Sequence, residues 1–221
     1  MHNLVRRYCY FLLGLAINSF GIAFITKSAL GTSQISSVPY VLSLQYPQLS
    51  FGGWSFVMNM VYIVMQILIL RKKFEPVQLL QIVVNVLFSA FIDVGMFLLQ
   101  WFQPVSWPLR LVSLAVGCMI LAVGISIEVA PNVVVVPGEG IVRTLSQVTG
   151  IEFGTVKIAF DMTLICIALV FSLLFFHGLQ GLGIGTLVSA LTVGKLVSVV
   201  NKHFPLIDHI RRLAAAPVSS T

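Results

Sequence analysis

The chain has 221 residues, of which 58% are hydrophobic and only 9% are charged. Soluble domains carry about a quarter charged residues, so this composition excludes an ordinary soluble protein. Thirteen Lys and Arg residues against seven Asp and Glu residues give a net charge of +6. Because the basic residues lie in short clusters beside apolar runs, with no aromatic and basic surface stretch, they indicate membrane topology and not nucleic-acid binding.

Six apolar runs are long enough for membrane-spanning helices, each of which needs about 20 residues. The first run follows Arg6 and Arg7 without a clean small-residue cleavage site, so we expect a retained span and not a signal peptide. The predicted spans are residues 9–26, 54–70, 76–102, 109–129, 154–176 and 181–200. Together they predict one all-α integral membrane domain over residues 1–221, with a disordered tail at residues 213–221.

The basic clusters alternate along these spans and predict the orientation of the chain. One side carries most of them: Arg6, Arg7, Arg71, Lys72, Lys73, Arg143, Lys202, Arg211 and Arg212. Only Lys27 and Arg110 clearly fall on the other side. The positive-inside rule therefore predicts a multi-pass protein of the bacterial inner membrane with both termini in the cytoplasm.

Two similar blocks, about one hundred residues apart, predict an internal repeat. A shift of 102 superposes Phe51-Gly52 on Phe153-Gly154 and brings Asn59 onto Asp161. A shift of 103 superposes Gly14, Ile17, Gly21 and Ile22 on Gly117, Ile120, Gly124 and Ile125. We expect repeats at about 9–102 and 109–202, and since each contains three spans, the second copy is inverted in the membrane.

In each repeat a mixed segment with Gly and Pro breaks follows the first span. These segments cover residues 27–44 and 131–150. Backbone that breaks at membrane depth must be buried in protein or line a water-filled cavity, and a matched pair of breaks indicates a central binding site. The alternative interpretation is a pair of extramembrane loops carrying short surface helices, and the sequence leaves both interpretations open.

Six polar residues are candidates for substrate binding at the interface of the two repeats. They are Ser33, Gln34, Ser36, Asn59, Glu139 and Asp161. The first three are neutral ligands for a small polar solute, and a half-helix beginning after Gly31 would offer free N–H groups to an anion. Glu139 is also interpretable as a helix cap, and each Asn or Ser as a hydrogen bond between helices.

Several charged residues carry further hypotheses. A carboxylate two turns inside a span is costly, so Asp161 is the proton-coupling candidate; the alternative is a structural hydrogen bond. Glu128, like Glu139, is expected in an exposed loop. Asp93 and Lys195 coincide under the shift of 102 and are candidates for an ion pair between the repeats, unless Lys195 extends to the lipid headgroups.

No enzyme, cofactor or metal signature emerges from the sequence. Cys9, Cys118 and Cys166 lie in separate spans without metal-binding spacing, and we expect all three to be buried as small apolar residues. The four histidines lie near span ends or in tails. The glycines of residues 181–186 follow no β-strand, which argues against dinucleotide binding.

Short glycine motifs resemble the YczE/YitT-like family of small bacterial membrane proteins. The motifs are Leu30-Gly31-Thr32, Phe51-Gly52 and Gly183-Ile184-Gly185-Thr186-Leu187, and the resemblance covers about residues 5–202. It implies an integral inner-membrane protein and is compatible with transport.

The leading functional hypothesis is therefore a small-solute transporter or exporter, with proton coupling through Asp161. Its partners would be the lipid bilayer and a small polar or charged solute, with no cofactor. A chain of 221 residues is small for alternating access, which is compatible with a homodimer. The alternative is a membrane scaffold or assembly partner without transport, and a channel is a weaker alternative.

Overall fold

A computed structural model describes residues 2–215, and within them the chain forms nine α-helices and no strand. The helices are α1 (His2–Lys27), α2 (Ser37–Gln45), α3 (Phe51–Leu70), α4 (Leu80–Leu98), α5 (Trp107–Val129), α6 (Pro137–Thr149), α7 (Phe153–Phe176), α8 (Ile184–His203) and α9 (Pro205–Ala215). Two short 3-10 turns, Arg71–Lys73 and Pro76–Leu79, join α3 to α4. The all-α prediction is confirmed.

Six of these helices are long and apolar enough to cross a membrane: α1, α3, α4, α5, α7 and α8. They agree with the six predicted spans of a multi-pass membrane protein. The largest difference is in the first span, whose helix begins at His2 and not at residue 9. The third span begins with the 3-10 turn after Glu75 and ends as an α-helix at Leu98. The sixth helix starts later than predicted because Gly181 adopts a left-handed conformation, with φ of 76°.

The centre of the fold is the crossing of α1 and α5, which pack as antiparallel helices through glycines. A Cβ atom at Gly21 would lie 2.6 Å from the backbone nitrogen of Leu121, and one at Gly117 would lie 2.7 Å from the Ile25 side chain. Gly14 and Gly124 contact the opposite backbone in the same way. Since apolar burial drives no association within lipid, such close backbone approach is a main source of helix packing.

The two short helices α2 and α6 both pack between α3 and α7. The first residue of α2, Ser37, donates from its hydroxyl to the carbonyl of Leu164, midway along α7, at 3.4 Å. At the start of α6, a Cβ atom at Gly138 would lie 4.0 Å from the ring of Tyr62, midway along α3. The Ile35 side chain packs onto Gly138. The starts of α2 and α6 therefore meet between the middles of two long helices.

The turn between α1 and α2 is fastened to the start of α8. The amide of Gly185 donates to the carbonyl of Leu30 at 2.8 Å, and the amide of Thr32 donates to the hydroxyl of Thr186 at 3.2 Å. Gly31 has φ of 129°, a conformation that favours glycine. This turn directs the chain back along the bundle so that α2 begins beside the middle of α7.

The C-terminal helix α9 packs against the ends of α1 and α5. Ile207 and Ile210 are fully buried against Ile127 and Ala130. The predicted disordered tail is wrong for residues 213–215, which continue α9 because its apolar face has a surface to cover. The remainder of that predicted tail lies outside the described residues.

Candidate functional site

A cavity of about 390 Å³ lies where the starts of α2 and α6 meet. Its walls come from α1 to α8 and include the segment before α2. All six residues expected from the sequence line it: Ser33, Gln34, Ser36, Asn59, Glu139 and Asp161. Residues more than 120 positions apart in the chain thus lie at one place. Most of the remaining wall is apolar, as is usual for small-molecule sites.

The segment before α2 contributes hydroxyl groups that face the cavity. Ser33 is 2% exposed, and its Oγ atom has no hydrogen-bond partner among the described residues. Ser36 occupies the position before α2 without capping the helix through its side chain. A buried hydroxyl without a partner is costly in a finished core, so Ser33 is a group that a ligand would satisfy.

The side chain of Asn59 is held by a neighbour on α4. Its Nδ2 atom donates to Oδ1 of Asn85 on α4 at 2.8 Å, and Asn85 in turn donates to the carbonyl of Phe56 at 3.0 Å. Asn85 is fully buried. The amide of Asn59 is therefore oriented by α4 while the residue also lines the cavity.

Asp161 is neutralised by a residue that the sequence analysis did not single out. The ammonium group of Lys157, one turn earlier on α7, donates to both carboxylate oxygens of Asp161 at 2.6 Å. The two side chains are 30% and 16% exposed. This cation stabilises the ionised form of Asp161 and so opposes proton uptake there, and proton coupling through Asp161 stays a prediction. The spacing of four residues on a helix was the available signal.

Glu139 remains without a counter-ion. It lies in the first turn of α6, faces the cavity, and has no basic group within 4 Å among the described residues. Burial raises the pKa of the Glu139 carboxyl above its ordinary value. The more distant charges of Lys157 and Arg143 oppose that rise in pKa, while Asp161 adds to it. Glu139 thus differs from Asp161 in lining the cavity without a close cation.

The expected exposed position of Glu128 is wrong. This residue is 3% exposed at the end of α5, and Nδ2 of Asn18 donates to its carboxylate at 2.5 Å. Its charge lies close enough to Glu139 for the two to repel. The reason is tertiary: Gly14 brings α1 directly over the backbone of Glu128 and covers it. Asn18 also lines the cavity, so Glu128 stands directly behind the wall.

The structure does not bring Asp93 and Lys195 together as an ion pair. Asp93 accepts hydrogen bonds from the hydroxyl of Ser50 at 2.5 Å and from the amide of Gly52 at 2.8 Å, and so caps the start of α3. Lys195 is exposed on α8. Of the three cysteines only Cys118 is buried, because Cys9 and Cys166 lie on outward-facing helix surfaces.

The cavity opens sideways between α7 and α8. These consecutive helices do not pack closely along their length, unlike α3 and α4. Ile158 on α7 lines the cavity although it is 66% exposed, and Gly194 lines the facing edge on α8. A solute could therefore reach the polar groups through a gap whose edges are apolar. Within the described residues no group of three or more His, Cys, Asp and Glu side chains is arranged to hold a metal ion.

Comparison with known proteins identifies a family whose function is unknown. Residues 5–202 match DUF6198, described as a family of unknown function, and the chain belongs to that family. The chain is similar to the Uncharacterized protein YyaS of Bacillus subtilis (strain 168), with 26% identity over 206 residues, covering 90% of this chain and 96% of that protein. No solved structure matches the chain. The YczE/YitT-like naming is not confirmed.

Proposed function

We propose that this protein is a small-solute transporter of the bacterial inner membrane, with its binding site in the cavity between two inverted halves. The observation that carries the proposal is the meeting of α2 and α6. Both short helices start beside the middles of spanning helices, and their starts line one cavity with hydrogen-bonding side chains. Transporters commonly bind solutes at such pairs of half-helices.

The packing of the helices supports an inverted repeat. The α1–α4 contact corresponds to the α5–α8 contact, and the α2–α7 contact corresponds to the α6–α3 contact. At the central crossing, Gly14 contacts Glu128, and the pair shifted by 103 positions, Gly117 and Ile25, makes the reciprocal contact. Reciprocal contacts of this kind are expected when two halves are related by a two-fold axis in the membrane plane. The gap between α7 and α8 is the principal departure, and it gives the cavity its opening.

The depth of α2 and α6 favours re-entrant segments over surface helices. Ser37 lies beside the twelfth of the 24 residues of α7, and about 1.5 Å of rise per residue sets that point near the centre of the bilayer. Gly138 likewise lies beside Tyr62, the twelfth of the 20 residues of α3. The positive-inside pattern orients both termini towards the cytoplasm, so α2 would face outwards and α6 inwards.

Cysteine accessibility tests this function without knowledge of the substrate. In a variant with Cys9, Cys118 and Cys166 replaced by alanine, Ser36→Cys introduces one thiol at the cavity. A membrane-impermeant methanethiosulfonate reagent is applied to intact cells and, separately, to inside-out vesicles. Alternating access predicts modification from both faces. Ser126→Cys, buried in α5 and away from the cavity, is the matched control and should stay unmodified.

The other candidate functions make different predictions in the same experiment. A scaffold without transport should leave Ser36→Cys unmodified from both faces, or accessible from one face under every condition. A channel should add measurable conductance in planar bilayers. Either result would refute the proposed transporter.

A further inference from the structure

Resting on the proposed transport function, we propose that the cavity binds a monovalent organic cation with an apolar body, which displaces a proton from Glu139. The class of substrate follows from the charges, the walls and the opening of the cavity. The direction of proton movement follows from the position of Glu139 among the other charged groups.

The cavity becomes negative when its two carboxyls without a basic partner are ionised. Asp161 and Lys157 cancel one another at 2.6 Å. Glu139 and Glu128 face no basic group within 4 Å among the described residues. The starts of α2 and α6 each carry roughly half a positive charge, which together offset about one of these two carboxylates. With both carboxyls ionised, about one negative charge remains for a ligand to neutralise.

A second observation points to a ligand in the same place. Ser33 is 2% exposed, lines the cavity, and its hydroxyl oxygen has no partner among the described residues. Its lone pairs can face a cation, or its proton can be donated to a polar substituent. Glu139 lines this cavity as well, from the start of α6.

The walls favour an apolar body on that cation. Around the polar groups the lining includes Ile22, Phe88, Leu121, Ile125, Val136 and Val193. The Phe88 ring adds a face of the kind that attracts cations. A volume of about 390 Å³ exceeds what a single inorganic ion needs and falls in the range of small-molecule pockets. The apolar gap between α7 and α8 would admit an amphipathic solute from the lipid.

Exchange with a proton follows from the surroundings of Glu139. The charged groups near it are Lys157 and Asp161 on α7, Arg143 on α6 itself and Glu128 on α5; the α3 residues near the start of α6 are uncharged. Burial raises the pKa of Glu139, so below that pKa the empty cavity holds a neutral carboxyl. A bound cation favours the carboxylate, and the proton leaves to water. The bound cation thus replaces the proton of Glu139, so the cation and the proton would cross the membrane in opposite directions.

Binding of benzyltrimethylammonium to the purified full-length protein tests this inference. Its charge is permanent, so any pH dependence belongs to the protein. Isothermal titration should give an affinity that weakens about tenfold for each pH unit below the pKa of Glu139. Titrations in buffers of different ionisation enthalpy should detect release approaching one proton per cation. Benzenesulfonate, similar in size and opposite in charge, should not bind.

Three variants test which residues are responsible for cation binding and for its pH dependence. Glu139→Gln should weaken binding at alkaline pH by about tenfold or more and abolish both the pH dependence and the proton release. Ser33→Ala should weaken binding at every pH while the pH dependence remains. Glu75→Gln makes the same chemical change at an exposed site outside the cavity and should behave as the unmodified protein.

The outcomes separate this inference from the proposed function. Benzenesulfonate binding without cation binding would overturn the substrate class. Cation binding without pH dependence in the unmodified protein would overturn the exchange at Glu139, even if Glu139→Gln failed to fold. If neither probe bound while Ser36→Cys remained accessible from both faces, the organic-cation class would be refuted and transport would stand.

Discussion

The glycine contacts between α1 and α5 predict a large loss of stability for Gly21→Ala. The new Cβ atom would lie 2.6 Å from the backbone nitrogen of Leu121, about 0.8 Å short of the 3.4 Å at which ordinary contact begins. Neither atom belongs to a flexible side-chain end, so the two central helices must separate. Overpacking typically costs 1–3 kcal/mol, and we expect about 3 kcal/mol here because the shift also loosens the other glycine contacts.

Gly194→Ala is the matched control, because a Cβ atom at Gly194 on α8 meets no atom within 4 Å. Alanine forms helix better than glycine by about 1 kcal/mol, so this variant should be as stable as the unmodified protein or slightly more so. Unfolding of purified protein in mixed micelles with increasing SDS, followed by tryptophan fluorescence, measures both variants. Equal stability of Gly21→Ala and the unmodified protein would refute the tight crossing, as would an equal loss in Gly194→Ala.

The same unfolding measurement tests the roles of Asp93 and Lys195 and the ion pair between Lys157 and Asp161. Asp93→Ala should lower the free energy of unfolding by about 1–2 kcal/mol, because it removes the carboxylate that accepts hydrogen bonds from Ser50 and from the amide of Gly52 at the start of α3. Lys195→Ala should change the free energy of unfolding by less than about 0.5 kcal/mol. Equal effects of the two variants would instead support an ion pair between Asp93 and Lys195. Lys157→Met should cost about 2 kcal/mol by leaving Asp161 unpaired, less than the 3–5 kcal/mol of a fully buried pair since both side chains are partly exposed. Adding Asp161→Asn should recover most of that loss, and no recovery would argue against the pairing.

The prediction that the six candidate residues lie at one place came from the proposed repeat and not from any single residue. Ser33 and Asp161 are 128 positions apart, yet both line the cavity. Ser33 lies in the segment that follows the first span, and Asp161 lies within the fifth span. The proposed repeat relates distant sequence positions to one another and so predicts that they lie close together in space. It failed for Asp93 and Lys195, because equivalence under a shift says where two residues correspond and not whether their side chains meet.

Charge pairing was the part of the site that sequence reasoning could not supply. Lys157 lies four residues before Asp161, a spacing that permits an ion pair on a helix, but the side-chain conformations decide whether one forms. Glu128 ends an apolar span, where a carboxylate usually meets water. Its burial depends on Gly14, 114 positions away, which lets α1 lie over it.

The sequence by itself determined the class of protein, the six long helices, the two broken segments and the residues of the candidate site. These depend on local hydrophobicity and on the presence of Gly and Pro, which act over a few neighbouring positions. Only the tertiary structure decided that α2 and α6 start beside the middles of α7 and α3, that Asp161 is neutralised and Glu139 is not, and that the cavity opens between α7 and α8. Those properties arise where helices distant in the chain approach one another, and the approach is set by packing of backbone against backbone.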